Sequence, residues 1–165
     1  MRIAFLHGLE SGPHGRKYQS LAARWPDVLA PDCEGVRDVE TRVAIVSDAL
    51  AGQGPLLLVG SSFGGLVAAL LADKPGDLDI RGVVLCAPAL HVPAADVIQR
   101  RAHSCVVIHG TEDDIVPVTA SRAFAARLGC TLIEVTDGHR LASSGDVLLA
   151  EVAKMIAALK EEGGE

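Results

Sequence analysis

A chain of 165 residues has the length of one compact domain, and about two-thirds of its unfolded surface can be buried without a disulfide or metal to hold the core. Its residues are 49% hydrophobic but only 3% aromatic, so the core is expected to consist of aliphatic side chains and alanine. A net charge of -6 and the absence of any basic stripe exclude nucleic acid as a partner, because phosphate binding needs clustered Lys and Arg.

No apolar run approaches the roughly 20 residues of a membrane span. The apolar N-terminus Met1–Gly8 is too brief for a signal peptide and lacks a small-residue cleavage site. The expectation is a cytoplasmic protein. Cys33, Cys86, Cys105 and Cys130 are spaced too widely for a zinc pattern or a redox pair, and three of them sit in or beside apolar runs, where a thiol behaves as a small buried hydrophobe.

In chain order, Arg2–Leu6 reads as a strand ended by His7-Gly8, and Lys17–Trp25 as an amphipathic helix. Val28–Pro31 reads as a short strand. Arg37–Ala51 is expected as a helix with Val39, Val43, Val46 and Leu50 on one side and Gly52 as its stop. Leu56–Val59 is apolar without alternation, as in a strand covered on both faces. A helix over Phe63–Ala72 follows, then strands at Gly82–Cys86 and Cys105–Ile108. Ser121–Leu128 is the next helix, Thr131–Val135 the last strand, and Val147–Leu159 a long final helix before a frayed tail at Glu161–Glu165.

Strands alternating with helices predict a three-layer α/β/α sandwich with a mainly parallel, twisted sheet of about six strands. No repeat or composition break marks a second domain, so residues 1–165 are read as one. Ligands of such sheets bind beyond the carboxyl ends of the strands.

Gly60-Ser61-Ser62-Phe63-Gly64 falls between a buried strand and an apolar helix. That is the setting in which a serine sits on a tight strained turn with its hydroxyl exposed. Ser61 is the rival hydroxyl, and a helix N-cap is the plain structural role for Ser62. A serine hydroxyl needs a base, and the base needs a carboxylate to fix its tautomer. His139 follows the last strand and Asp113 follows the one before it. Asp114 adjoins Asp113 and competes with it, while Asp137 fits better as part of the turn presenting His139.

These stretches resemble the α/β-hydrolase superfamily, in particular its small cap-less bacterial serine esterases. The match lies in Leu6–Pro13, Val59–Gly65, His109–Pro117 and Gly138-His139, in the family's order. The resemblance implies Ser62 as nucleophile, Asp113 as acid and His139 as base. It also implies an oxyanion hole made by the backbone amides of Leu9 and Phe63. The leading antiparallel strands of larger relatives are missing, and the segment between Pro88 and Ala102 is too short for a lid domain.

The implied activity is hydrolysis of an ester or thioester of a short or medium acyl group, with no metal or organic cofactor. The partner is then a small acyl substrate, with no nucleic acid and no membrane. Activity is expected to fall once the imidazole protonates, below about pH 6 to 7. An acyltransferase with the same three residues and a non-catalytic binding protein are the alternatives. His7 and His109 are read as structural. His14, Arg16 and Lys17 lie beside the expected oxyanion hole and read as solvated charges at a helix start, or as groups meeting an anionic part of the substrate.

Overall fold

Five aliphatic segments assemble into one sheet, in the order β1 (Arg2–Leu6), β2 (Leu56–Ser61), β3 (Ile80–Cys86), β4 (Ser104–Gly110), β5 (Thr131–Val135). Every neighbouring pair is parallel. The helices are α1 (Arg16–Arg24), α2 (Val39–Leu50), α3 (Phe63–Asp73), α4 (Val118–Leu128) and α5 (Gly145–Glu162). This is a computed structural model, and it describes residues 1–163.

Alternate residues of each strand feed two separate cores. Ala4, Leu58, Leu85 and Val107 face Val46 and Leu50 of α2, Leu66 of α3 and Phe124 of α4. Phe5, Leu57, Val84 and Ile108 face Leu21 of α1 and Leu148, Val152 and Met155 of α5. The three layers expected from the alternation of elements are therefore present, with a sheet that is wholly parallel. Because both faces are covered, the strands carry unbroken apolar runs, and Leu56–Val59 is fully buried.

The sixth strand expected at Val28–Pro31 shrinks to a single bridge, Leu29 beside Ala4. Leu29 exchanges two hydrogen bonds with β1, its amide to Ile3 O and its carbonyl from the Phe5 amide, each 2.8 Å. Pro31 has no N–H to continue the ladder. Even so, the bridge fixes the topology: the chain leaves β1 toward one edge and returns as β2 on the other side. That reversal opens a crevice beyond the ends of β1 and β2, where ligands of such sheets bind.

Helix boundaries shift modestly from expectation. Asp38 caps α2, accepting from the Thr41 amide at 2.9 Å and its hydroxyl at 2.6 Å. Helix α4 begins three residues early, directly behind Pro117. Helix α5 continues through Glu162 with Gly163 as its C-cap, so Glu161 and Glu162 are helical where fraying was expected, and residues 164–165 of the tail lie outside the described residues. Between Pro88 and Ala102 there is one 3-10 turn, Pro93–Ala95. Among the described residues no helix is long and apolar enough to cross a membrane.

Candidate active site

Ser62 stands at the junction of β2 and α3 with φ 55° and ψ -115°, a conformation that costs an L-residue about 1–3 kcal/mol. It persists because its backbone is held at both ends. The Ser62 amide donates to Cys86 O at 2.9 Å, and its carbonyl accepts from the Ala89 amide at 2.9 Å. The turn also needs bare backbone. A Cβ on Gly60 would lie 2.5 Å from Gly64 O, and one on Gly64 would run into the Leu6 carbonyl. Helix α3 therefore starts in direct contact with the end of β1, which leaves Ser62 at the mouth of the crevice. Its side chain makes no helix-capping bond. Ser62 Oγ lies instead 3.0 Å from His139 Nε2.

His139 is presented by the loop after β5. Asp137 builds that loop: its carboxylate accepts from the amides of Gly138 and Ser143 and from the Ser144 hydroxyl, at 2.8, 2.9 and 2.8 Å. The Ser144 bond leads in holding this carboxyl below its ordinary value. The loop after β4 is stitched to it by Thr111 N to Val135 O and Glu112 N to Asp137 O, 2.8 and 3.0 Å. This stitching sets Asp113 beside His139, with Oδ2 2.8 Å from Nδ1.

Asp113 accepts on every side. Oδ1 takes the amides of Ile115 and Val116 at 2.9 and 2.8 Å. Oδ2 also lies 3.0 Å from Nε2 of the fully buried His109. His109 is itself anchored, its Nδ1 2.7 Å from the Ser121 hydroxyl and its Nε2 2.9 Å from Val116 O. Burial opposes a charge on Asp113, but the Val116 amide, the His139 bond and the Ile115 amide outweigh it and hold the carboxyl below its ordinary value. A carboxylate here requires the proton of His139 on Nδ1, which leaves Nε2 free to accept from Ser62. Asp114, the competing carboxylate, stays exposed.

The His7-Gly8 turn after β1 forms the opposite wall. Gly8 abuts the serine, since a Cβ on it would lie 3.5 Å from Ser62 Cβ. Buried His7 accepts the Cys33 amide on Nε2 at 2.9 Å and so donates from Nδ1 to Gly8 O at 2.8 Å. Burial pushes its pKa down, consistent with this neutral form.

One residue of this wall is absent from the sequence-based expectations. Arg42 of α2 is 2% exposed and has no carboxylate within salt-bridge distance among the described residues. Its guanidinium donates to Val36 O, His7 O and Gly8 O at 2.6, 2.8 and 3.2 Å, and lies 5.2 Å from the centre of the Phe63 ring. Burying a cation costs several kcal/mol unless its donors are satisfied, and here three carbonyls and an aromatic face supply that. In a trans peptide the N–H points opposite to the C=O. With Gly8 O turned to Arg42, the Leu9 N–H faces away from the guanidinium, and Leu9 lines the cleft. The amides of Leu9 and Phe63 donate to no protein acceptor among the described residues. The sequence did carry a signal: Arg42 falls three residues after Val39 and four before Val46, inside the apolar stripe of α2.

Ser62 and His139 open onto a cleft of about 950 Å³, with the Asp113 side chain buried behind the imidazole, and the apolar wall of the cleft includes Leu9, Ile115, Leu141 and Leu149. Ile115 is 63% exposed at this wall.

Comparison with known proteins agrees with this architecture. A protein of the alpha/beta hydrolase superfamily from Xanthomonas campestris pv. campestris superposes with a TM-score of 0.77 at 23% identity, covering 98% of this chain and 97% of its own. The chain has the α/β-hydrolase fold. Other α/β-hydrolase-like neighbours are Est1E from Butyrivibrio proteoclasticus (TM-score 0.76, 16% identity, 94% and 88% covered) and a monoacylglycerol lipase from Paleococcus ferrophilus (0.75, 19%, 94% and 94%). The family model described as "Serine aminopeptidase, S33" matches residues 32–105, a stretch of the α/β-hydrolase core that contains Ser62 but ends before Asp113 and His139. No curated protein matches the chain in sequence.

The depressed Asp113 carboxyl carries a stability consequence. A carboxyl whose folded value lies below its unfolded one stabilises above the ordinary carboxylate range, and that contribution vanishes as pH falls through the folded value. The wild type should therefore melt higher than Asp113→Asn at neutral pH, and the gap should close below about pH 4. Melting temperatures of both proteins from pH 7 to pH 2 test this, and a gap independent of pH contradicts it.

Proposed function

We propose that the chain is a serine hydrolase that cleaves esters or thioesters of short to medium acyl groups through an acyl-enzyme on Ser62. The observation that carries this reading is the continuous series Ser62 Oγ to His139 Nε2 at 3.0 Å and His139 Nδ1 to Asp113 Oδ2 at 2.8 Å, at the edge of an open cleft. Nucleophile, base and orienting carboxylate are within hydrogen-bond reach before any substrate binds.

In this mechanism Ser62 Oγ attacks the acyl carbonyl carbon while His139 Nε2 takes the hydroxyl proton. Asp113 keeps Nδ1–H in place and offsets the positive charge on the imidazolium. The oxyanion of the tetrahedral intermediate accepts from the Leu9 and Phe63 amides, which are free to donate. Arg42 assists at one remove. Gly8 O receives both the guanidinium and His7 Nδ1–H, which polarises the Gly8–Leu9 peptide and strengthens its N–H as a donor. Collapse breaks the acyl–oxygen or acyl–sulfur bond, and the leaving group departs with the proton from His139. Water, deprotonated by the same nitrogen, then attacks the acyl-enzyme and releases the acid.

The substrate range follows from the cleft. Its apolar wall at Leu9, Ile115, Leu141 and Leu149 fits an acyl chain, and the short Pro88–Ala102 segment adds no cap. The esterase and lipase names among the structural neighbours support an ester, whereas the matching family description names a peptidase. An ester is preferred because an alkoxide or phenolate leaves with less help than an amine.

The test is hydrolysis of p-nitrophenyl acetate and butyrate by the purified protein. The wild type should turn both over, and Ser62→Ala or His139→Ala should lower kcat by about 1,000-fold or more. No hydrolysis by the wild type, or equal rates in the variants, contradicts the reading. Arg42→Met should lower kcat by roughly 10- to 100-fold with KM nearly unchanged, since the oxyanion forms only in the transition state. A folded Arg42→Met protein with full kcat would remove Arg42 from the mechanism.

A further inference from the structure

The cleft wall beside the Gly12–Gly15 loop is cationic in a chain of net charge -6. Arg16 and Lys17 project from the first turn of α1, and Arg140 follows His139 directly; all three line the cleft that holds Ser62. None has a carboxylate within 4.0 Å among the described residues, although Arg37, Arg81, Arg122 and Lys154 each do. Lys17 is half-buried, and its ammonium donates to the carbonyl of Arg140 at 2.9 Å. That bond crosses the cleft from α1 to the loop of the proposed base and holds the charge one residue from His139.

Helix energetics does not account for this placement. Cations in a first turn oppose the helix dipole, and α1 has neither an acidic residue there nor a side-chain cap at Gly15. Two acids also line the cleft. Glu10 is engaged by Arg37 at 3.2 Å, and Asp146 lies in the first turn of α5, where the dipole favours a negative charge. The wall thus offers positive groups outside ion-pair contact (Lys17 feels the Asp137 carboxylate only at longer range), while its negative groups have favourable local environments.

We propose that Arg16, Lys17 and Arg140 form an anion subsite, so that the preferred substrate is an acyl ester or thioester carrying a carboxylate or phosphate group several atoms from the scissile carbonyl. This rests on the serine-hydrolase reading and names the substrate class of the same site. The subsite works by charge complementarity across an open cleft: the anion replaces water around Lys17 and Arg140, and the acyl carbonyl reaches Ser62 already oriented.

The test compares p-nitrophenyl esters of matched length whose acyl chains end in methyl, carboxylate or ammonium, with inorganic phosphate as a competing ion. In the wild type kcat/KM for the carboxylate ester should exceed that for the methyl ester by about 10-fold, as expected for a few solvent-exposed ion pairs acting together. The preference should shrink at 0.5 M salt, where screening is strong. In Lys17→Gln/Arg140→Gln the ratio should fall toward one. Phosphate should inhibit the wild type competitively and the double variant more weakly; inhibition without carboxylate preference would assign the subsite to phosphate esters. Hydrolysis of all three esters with the same ratios in wild type and variant, and no phosphate inhibition, overturns the subsite alone. Preference for the ammonium ester overturns it as well. Failure to hydrolyse any of them overturns the serine-hydrolase reading beneath it.

Discussion

The site depends on one close approach, that of the start of α3 to the end of β1. Gly64 lies so near the Leu6 and His7 carbonyls that no side chain fits, and Gly60 crosses the same turn with equal economy. This contact forces Ser62 out of ordinary backbone space and also brings Gly8 against it. Two chain segments far apart in sequence thereby meet at the serine with one free amide each, at Leu9 and Phe63. The hydrogen bonds from Ser62 N to Cys86 O and from Ala89 N to Ser62 O tie the strained turn into β3. The sheet's rigidity carries the strain.

Around that contact lies an unusual concentration of buried polar groups, and each is satisfied. Arg42 and His7 converge on the carbonyls of the β1 turn, while His109, anchored by the Ser121 hydroxyl, reaches Asp113. Among the described residues no buried side-chain nitrogen or oxygen lacks a partner. An unmatched group there would cost about 1–3 kcal/mol and loosen the geometry it supports. The two networks differ in sign. A cation backs the proposed oxyanion donors, and a carboxylate backs the imidazole, each where the charge developing in acyl transfer would need it.

The strands were legible because burial on both faces leaves a continuous aliphatic run, and the helices because their apolar residues recur at helical spacing. Val28–Pro31 looked like a strand by composition, yet Pro31 limits it to one bridge. Ser62 and Asp113 could be picked out because each follows a strand beside a glycine that close packing demands, and His139 because it follows the last strand, although Gly138 before it stands in open space. From sequence, only the spacing from Gly110 favoured Asp113 over Asp114. The physical reason appears only in three dimensions, where the Ile115 and Val116 amides claim Oδ1 and leave Oδ2 for His139. Arg42 escaped because hydrophobic patterning treats a charge in an apolar stripe as noise. Its three carbonyl partners lie in loops whose paths no local pattern encodes.

The central claim is that Ser62 is an activated nucleophile, and covalent capture measures this directly. The folded wild-type protein should react with a fluorophosphonate at neutral pH, with the adduct located by mass spectrometry on Ser62 alone. Ser62→Ala should remain unmodified under the same conditions. A wild type that resists the reagent, or an adduct on Ser61 or another residue that persists in Ser62→Ala, would contradict the account.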